Sequence, residues 1–259
     1  SYNMKIVAII PARLESTRLN RKLLIKINGL EIIEHVRRRA IISNAFEAVY
    51  VATDDEEIVQ LIKNNKGNII RTSKYHENGT SRIAEAVNNI DATHVVLIQG
   101  DEPLILPKDL KKMVENIKRF PEYDALNAIA KIDKESYLDE KSEVKCAINE
   151  KGRIIYCFRR SPSHCNKNEQ FTYIRKMLGL ISYRRETLKL IEDSKESKIQ
   201  ELESIEQLWL ITNNYDIYGV NIESCLPSVN TSNDVNRVLK YIEENPEQQN
   251  IIKEVSRLN

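Results

Sequence analysis

The sequence predicts an α/β fold: an open, mostly parallel sheet with helices on both faces and a β-rich insertion in its second half. Three observations predict it. Apolar runs alternate with helix-period segments up to about residue 123, which is the pattern of βαβ units. Near residue 124 the spacing tightens into short strand-like pieces, which suits a mixed, partly antiparallel insertion. The chain has 259 residues, 41% hydrophobic and 30% charged, enough for one medium domain with a sizeable core.

The elements follow in order. Ile6–Ile10 is an unbroken apolar run ended by Pro11, as a strand buried on both faces requires. The next segment carries Arg13, Arg18, Arg21 and Lys22 and has no glycine before Gly29. It is therefore neither a GxGxxG dinucleotide loop nor a GxxxxGK[ST] phosphate loop. Cationic side chains beyond the carboxyl end of a strand suit a polyphosphate; the competing reading is a solvated basic turn. Glu31–Ser43, Glu56–Asn65 and Thr80–Asn89 have helix periodicity, between strands Ala48–Ala52, Ile69–Arg71 and His94–Gln99. Asp54-Asp55 before Glu56-Glu57 supplies acidic groups where a helix start favours them. A helix is expected from Pro107 to about Arg119. The insertion reads as strands Ala125–Lys131, Val144–Ile148, Ile154–Phe158 and Leu178–Tyr183, with a polar loop at Pro162–Gln170. Helices Arg185–Asp193 and Glu201–Ile211, strand Ile217–Ile222, and helices Asn233–Glu244 and Pro246–Arg257 close the chain.

Composition excludes several classes. Lys+Arg 39 against Asp+Glu 38 leaves a formal net charge of +1, unlike a protein that coats nucleic acid. No apolar stretch approaches the roughly 20 residues that span a membrane. No signal peptide is expected before Met4; Ser1, Tyr2 and Asn3 read as an appended remnant, and the expected location is cytoplasmic. Cys146, Cys157, Cys165 and Cys225 form no CxxC pair and no zinc spacing. His164 beside Cys165 reads as a loop histidine next to an incidental thiol.

Two further constellations join the basic segment. Gln99-Gly100-Asp101-Glu102-Pro103 follows the strand that begins at His94. A carboxylate at a strand tip facing a basic loop suits Mg²⁺, which takes one or two carboxylates plus phosphate oxygens; the local alternative is a strand-ending turn. His76-Glu77-Asn78-Gly79-Thr80-Ser81-Arg82 puts a tight turn at a helix start, where amides and an Asn side chain suit a base edge; the local alternative is helix capping.

Taken together, these segments resemble the 3-deoxy-manno-octulosonate cytidylyltransferase family, which makes CMP-Kdo, over Ile6 to about Val238. IIPARLESTR with Lys22, VATDD, HENGTSRIAE and VLIQGDEPLI carry the likeness. In the second half it rests on Val144-Lys145, Tyr156 with Arg159, Leu178-Gly179, Tyr183-Arg184 and Glu206-Gln207-Leu208. The resemblance implies that CTP and a 3-deoxy-2-keto sugar acid give a CMP-sugar and pyrophosphate, with Mg²⁺, for surface polysaccharide or lipopolysaccharide. It implies that Ala12, Arg13, Arg18, Lys22, Asn78, Gly79, Thr80 and Arg82 bind the nucleotide, with Arg13, Lys22 and Asp101 catalytic. It implies that Gln99, Arg159, Met177, Tyr183, Glu206 and Gln207 face the acceptor, and that Asp101 and Asn230 lie at the metal. A single domain over 1–259 is expected: a nucleotide-binding half at 4–123, a β-rich acceptor portion at 124–222 that also forms a homodimer, and C-terminal helices at 223–259.

The chain departs from that pattern at particular places. The family's usual proline-glycine before the lysine is Asn20-Arg21. Its usual serine is Asn78, the histidine before Leu-Gly is Met177, and the arginine after Glu-Gln-Leu is Trp209. The second metal aspartate is Asn230, which offers a carbonyl but no charge. Two alternatives follow: a CTP-dependent enzyme for another acidic acceptor, such as a modified ulosonate or a phosphonate, suggested by Met177; and a catalytically weakened nucleotide-binding paralogue, suggested by Asn230.

Overall fold

The computed structural model describes residues 3–14, 19–73, 75–223 and 226–258. In chain order the elements are β1 (Ile6–Pro11), a short hairpin of β2 (Lys26–Ile27) and β3 (Leu30–Glu31), α1 (Ile32–Ile42), β4 (Val49–Thr53), α2 (Glu56–Asn64), β5 (Asn68–Arg71), α3 (Gly79–Ala86), β6 (His94–Leu97) and α4 (Pro107–Arg119). Then come β7 (Ala125–Ala130), β8 (Lys145–Ile148), β9 (Ile154–Phe158), α5 (Lys167–Gln170), β10 (Ile174–Arg184), α6 (Arg185–Glu192), α7 (Lys198–Glu203), α8 (Leu208–Thr212), β11 (Ile217–Asn221), α9 (Ser232–Glu243) and α10 (Pro246–Ser256). The chain forms two compact units, 1–115 with 226–259, and 116–225. None of the described helices is long and apolar enough to cross a membrane.

The first unit is built on four parallel strands in the order β6-β1-β4-β5, with Ile9 opposite both Tyr50 and Leu97. From Ile6 to Ile10, and along all of β6, every residue is buried, which is why these strands read as continuous apolar runs. Asp55 caps α2 through the amides of Glu57 and Ile58. The C-terminal helices α9 and α10 belong to this unit. Helix α1 carries Arg37-Arg38-Arg39, a run that would suit a solvated face, yet residues 32–40 are all buried. Glu34 takes Arg37 in a two-pronged pair at 2.5 and 2.8 Å and Arg38 at 3.0 Å. Among the described residues no carboxylate stands against Arg39, and burial pushes its guanidinium down to about 9.

The second unit orders its strands β11-β7-β10-β8-β9; all neighbours are antiparallel except β11 and β7. Three expectations are corrected here. The strand expected at Leu178–Tyr183 starts at Ile174, because its first residues pair with β8, Ile174 opposite Ala147 and Lys176 opposite Lys145, while Arg175 donates to the carbonyls of Phe171 and Ile174 and Lys176 pairs with Asp133. The expected helix Glu201–Ile211 is two helices, since Ser204 takes a left-handed φ of 54° and ends α7. The loop Pro162–Gln170 contains the single turn α5. Cys146 and Cys157 are buried partners across β8 and β9, and burial pushes the Cys146 thiol up to about 12. Both are inert packing thiols. Cys225 lies outside the described residues.

Candidate active site

In the first unit, three segments converge on a cavity of about 210 Å³ at the carboxyl ends of β1 and β6. Pro11, Ala12, Arg13, Lys22 and Leu23 line one wall; His76, Asn78, Gly79 and Arg82 a second; Gln99, Gly100 and Asp101 a third. This is the crevice where open parallel sheets place ligands. It gathers Ala12, Arg13, Lys22, Asn78, Gly79, Arg82, Gln99 and Asp101, each expected from the sequence. Thr80 is buried beside them, 5% exposed, and is not part of the lining. Arg18 lies outside the described residues.

Close packing explains two glycines here. A Cβ on Gly79 would stand 3.0 Å from Pro11 Cγ, so the start of α3 lies closely against the end of β1. A Cβ on Gly100 would meet Leu23 at 3.3 Å. The turn that presents Lys22 can therefore lie directly on the loop that presents Asp101. Lys22 Nζ donates to Asp101 Oδ2 at 2.9 Å, with both side chains largely covered. Arg13 is exposed and makes no ion pair among the described residues. Arg21, at the family's usual glycine position, takes a left-handed φ of 55°, and its guanidinium is tied to Glu57.

The second wall is a hydrogen-bonded frame. Asn78 Oδ1 caps α3 by accepting from the Ser81 amide at 2.8 Å, so the capping reading and the cavity reading hold together. Arg82, 4% exposed, donates to Thr72 Oγ1 and the Ser73 carbonyl and pairs with Asp54 at 3.2 Å. It braces the neighbouring loop from beneath. His76 bonds Ser81 Oγ and Glu85, and Glu85 accepts from the Ser73 amide. The sequence reading assigned His76 no role; its only signal was its place two residues before the Asn78 turn.

Around Asp101 the chemistry is anionic and hard. Glu102 is pushed up to about 7 by burial and then by the Asp101 charge. The Val229 amide donates to the Asp101 carbonyl at 2.9 Å, which brings the Asn230 segment against this loop. Asn230 Nδ2 donates to Ser228 Oγ, and its amide donates to Asp234 Oδ2. Asp234 is committed to capping α9. Burial works against its charge, and amide bonds from Asn230 and Thr231 outweigh that and hold its carboxyl below the ordinary range. Among the described residues, no three His, Cys, Asp or Glu side chains stand together to hold a metal unaided.

The remaining expected residues lie in the second unit and do not gather at one point. Arg159 lines a cavity of about 380 Å³ with Lys141, Tyr156, Phe158, Arg160, Pro162 and Glu203. Its Nε, Nη1 and Nη2 donate to the carbonyls of Glu203, Lys141 and Ser204. That guanidinium holds the cavity wall, and the exposed Arg160, which the sequence reading passed over, is the neighbouring cation without these ties. Met177 and Gln207 flank a different feature. The β10–β7 register shifts between Met177 and Ile181, and the buried Asn127 bridges this bulge by donating to the Leu178 carbonyl and accepting from Gln207 Nε2 at 3.2 Å. Glu206 is half-buried at the start of α8, where its carbonyl accepts from the Trp209 amide. Tyr183 is 3% exposed and packs on β10 opposite Ala125.

Comparison with known proteins gives one consistent result. The cytidylyltransferase family model matches residues 7–222. A 3-deoxy-manno-octulosonate cytidylyltransferase of Fusobacterium nucleatum is 36% identical over 245 residues, 93% of this chain and 98% of that protein. The enzyme of the same name from Rickettsia canadensis is 34% identical over 92% of this chain and 96% of its own length. Among solved structures, a CMP:2-keto-3-deoxy-manno-octonic acid synthetase complexed with CTP superposes with a TM-score of 0.87 at 30% identity, covering 93% of this chain and 99% of that one.

Proposed function

The chain belongs to the cytidylyltransferase family, and from that premise we propose that it transfers the CMP moiety of CTP to the 3-deoxy-2-keto sugar acid Kdo, releasing pyrophosphate. The observation that carries the site assignment is the Lys22–Asp101 pair in a cavity where three separate motif segments meet. In the reaction, the anomeric hydroxyl oxygen bonds to the α-phosphorus as the bond from that phosphorus to the bridging oxygen breaks. The hydroxyl proton is lost, and pyrophosphate leaves with the bridging oxygen. Such transfer needs positioning and charge neutralisation more than covalent help. Arg13 and Lys22 meet the charge that grows on the leaving pyrophosphate. Asn78 and Gly79, at the start of α3, present their polar groups to the base.

The donor set fits Mg²⁺. Asp101 supplies a carboxylate, backbone and Asn230 carbonyls are hard oxygen donors, and CTP brings phosphate oxygens of its own. When bound, the ion neutralises phosphate charge. Asp101 and Asn230 would hold it, with Asp101 as the one carboxylate. Lys22, paired with Asp101 at 2.9 Å, would turn to the phosphates when CTP binds.

In the second unit, the Arg160 and Arg159 cavity suits the acceptor carboxylate, for which a guanidinium is the matched donor. A second reading, another acidic acceptor such as a modified ulosonate or a phosphonate, rests on Met177, which is half-buried at the bulge and cannot donate a hydrogen bond. A cytoplasmic location, where CTP is made, and a homodimer belong to the same proposal.

Pyrophosphate release, measured with CTP, UTP, ATP and GTP against Kdo and other acidic sugars, tests the reading. Turnover with CTP and Kdo is expected. Release with another acidic sugar and none with Kdo would replace the acceptor, and equal use of all four nucleotides would remove the base assignment.

A further inference from the structure

The loop from Asp101 to Ile105 is gripped from behind by side chains that belong to no recognised motif. Arg39 Nη1, from the middle of α1, donates to the Ile105 carbonyl at 3.0 Å. Gln248 Nε2, from the first turn of α10, donates to the adjacent Leu104 carbonyl at 2.9 Å. Both side chains are buried, Arg39 0% and Gln248 1% exposed. Gln248 lies beyond the 7–222 span that the family model matches.

These side chains are costly where they are. Arg39 Nε and Nη2 and Gln248 Oε1 are buried and find no hydrogen-bond partner among the described residues. A buried cation without a counter-charge, and buried donors without acceptors, both cost stability. Apolar side chains of similar size often replace buried ions at no loss. What an apolar residue cannot do is hold the Leu104 and Ile105 carbonyls. The backbone that carries Asp101 would then lose two of its long-range hydrogen bonds and keep the one from the Val229 amide to the Asp101 carbonyl, beside the apolar packing of Leu104 and Ile105.

We infer that Arg39 and Gln248 are positioning residues for the Asp101 loop: α1 and α10 clamp two successive carbonyls and so fix where the Asp101 carboxylate meets the metal–CTP complex. The inference rests on the proposed role of Asp101 at the metal. Groups behind a ligand that fix its orientation typically change metal affinity or activity by about 10–100-fold when removed.

The test uses Arg39→Met, Arg39→Lys, Gln248→Leu and, for the premise, Asp101→Asn. Three quantities are read: Mn²⁺ affinity of the protein–CTP complex by electron paramagnetic resonance, the KM for CTP at saturating metal, and the melting temperature. Arg39→Met and Gln248→Leu are expected to weaken Mn²⁺ binding about tenfold, with the KM for CTP within about twofold of wild type. Arg39→Met is expected to melt no lower than wild type, and Arg39→Lys, which keeps one donor for Ile105, to regain most of the metal affinity. Folded Arg39→Met and Gln248→Leu proteins with wild-type Mn²⁺ affinity would overturn the inference, as would metal affinity and KM that worsen together. Should Arg39→Met fail to fold, Gln248→Leu decides alone, since it deletes one neutral bond. If Asp101→Asn binds Mn²⁺ normally, the metal role of Asp101 fails, and the positioning role falls with it. If Asp101→Asn loses the metal and the other variants keep it, only the positioning role falls.

Discussion

Lys22 and Arg13 stand in different states before substrate arrives. Lys22 is paired with Asp101, whereas Arg13 is exposed and has no ion-pair partner among the described residues. On the proposed mechanism both meet the same leaving group. Lys22→Ala and Arg13→Ala are each expected to lower kcat by about 10²–10³, the usual cost of one preorganised donor. Stability should change little for Arg13→Ala, within about 0.5 kcal/mol, because an exposed side chain with no ion pair among the described residues is removed. Steady-state kinetics with a parallel thermal melt separates these effects; near-normal kcat in both would return them to a solvated turn. That Lys22, Asp101, Asn78 and Gly79 share one cavity was legible in the sequence because each lies in a short motif that follows a strand. The difference between Arg159 and Arg160 was not, because adjacent arginines look alike until the backbone carbonyls that occupy Arg159 are known.

Helix α1 shows what an element adds. Its periodicity was clear, but its burial on every side was not, and burial creates a titration. His35 is 1% exposed and bonds the Ile27 carbonyl through Nε2 at 2.7 Å. Burial first, and then the nearby Arg39 and Arg38 charges, lower its pKa from 6.5 to about 4. The unfolded chain therefore binds a proton that the folded chain refuses between those values. Stability attributable to His35 is intact above pH 6.5, declines as the pH falls, and is fully lost below about 4. The span corresponds to about 3 kcal/mol. Denaturant midpoints measured from pH 7 to 5 are expected to fall in wild type and to be flatter in His35→Gln. Parallel slopes in the two proteins would assign the acid sensitivity to other groups. The left-handed Ser204 that divides α7 from α8 belongs to the same scale. No glycine marks that break, so the sequence ran the two helices together.

At the scale of the whole molecule, two compact units share one chain, and the cavity lined by the three motif segments lies wholly within the first. A ligand that binds only the folded state stabilises by mass action, by about 2.7 kcal/mol at 100 times its Kd. For a chain of this length that is roughly 5–10 °C. CTP with Mg²⁺ is expected to raise the melting temperature of the unit that holds the cavity by that amount, and GTP at the same concentration by far less. Differential scanning fluorimetry reads both, and equal shifts would contradict base selection at Asn78 and Gly79. By itself, the sequence determined the parallel strands, because β1 and β6 are buried on both faces and must be apolar throughout. It also determined the three motif segments, because each is a run of a few adjacent charged, polar and glycine residues that is visible without knowing its neighbours in space. Only the tertiary structure decided which side chains stand behind those segments. Arg39 lies 66 positions from Ile105 and Gln248 lies 144 from Leu104. Periodicity and motif spacing reach one helix or one loop, whereas these bonds exist only once separate helices have packed and a buried donor has found a carbonyl from a distant part of the chain.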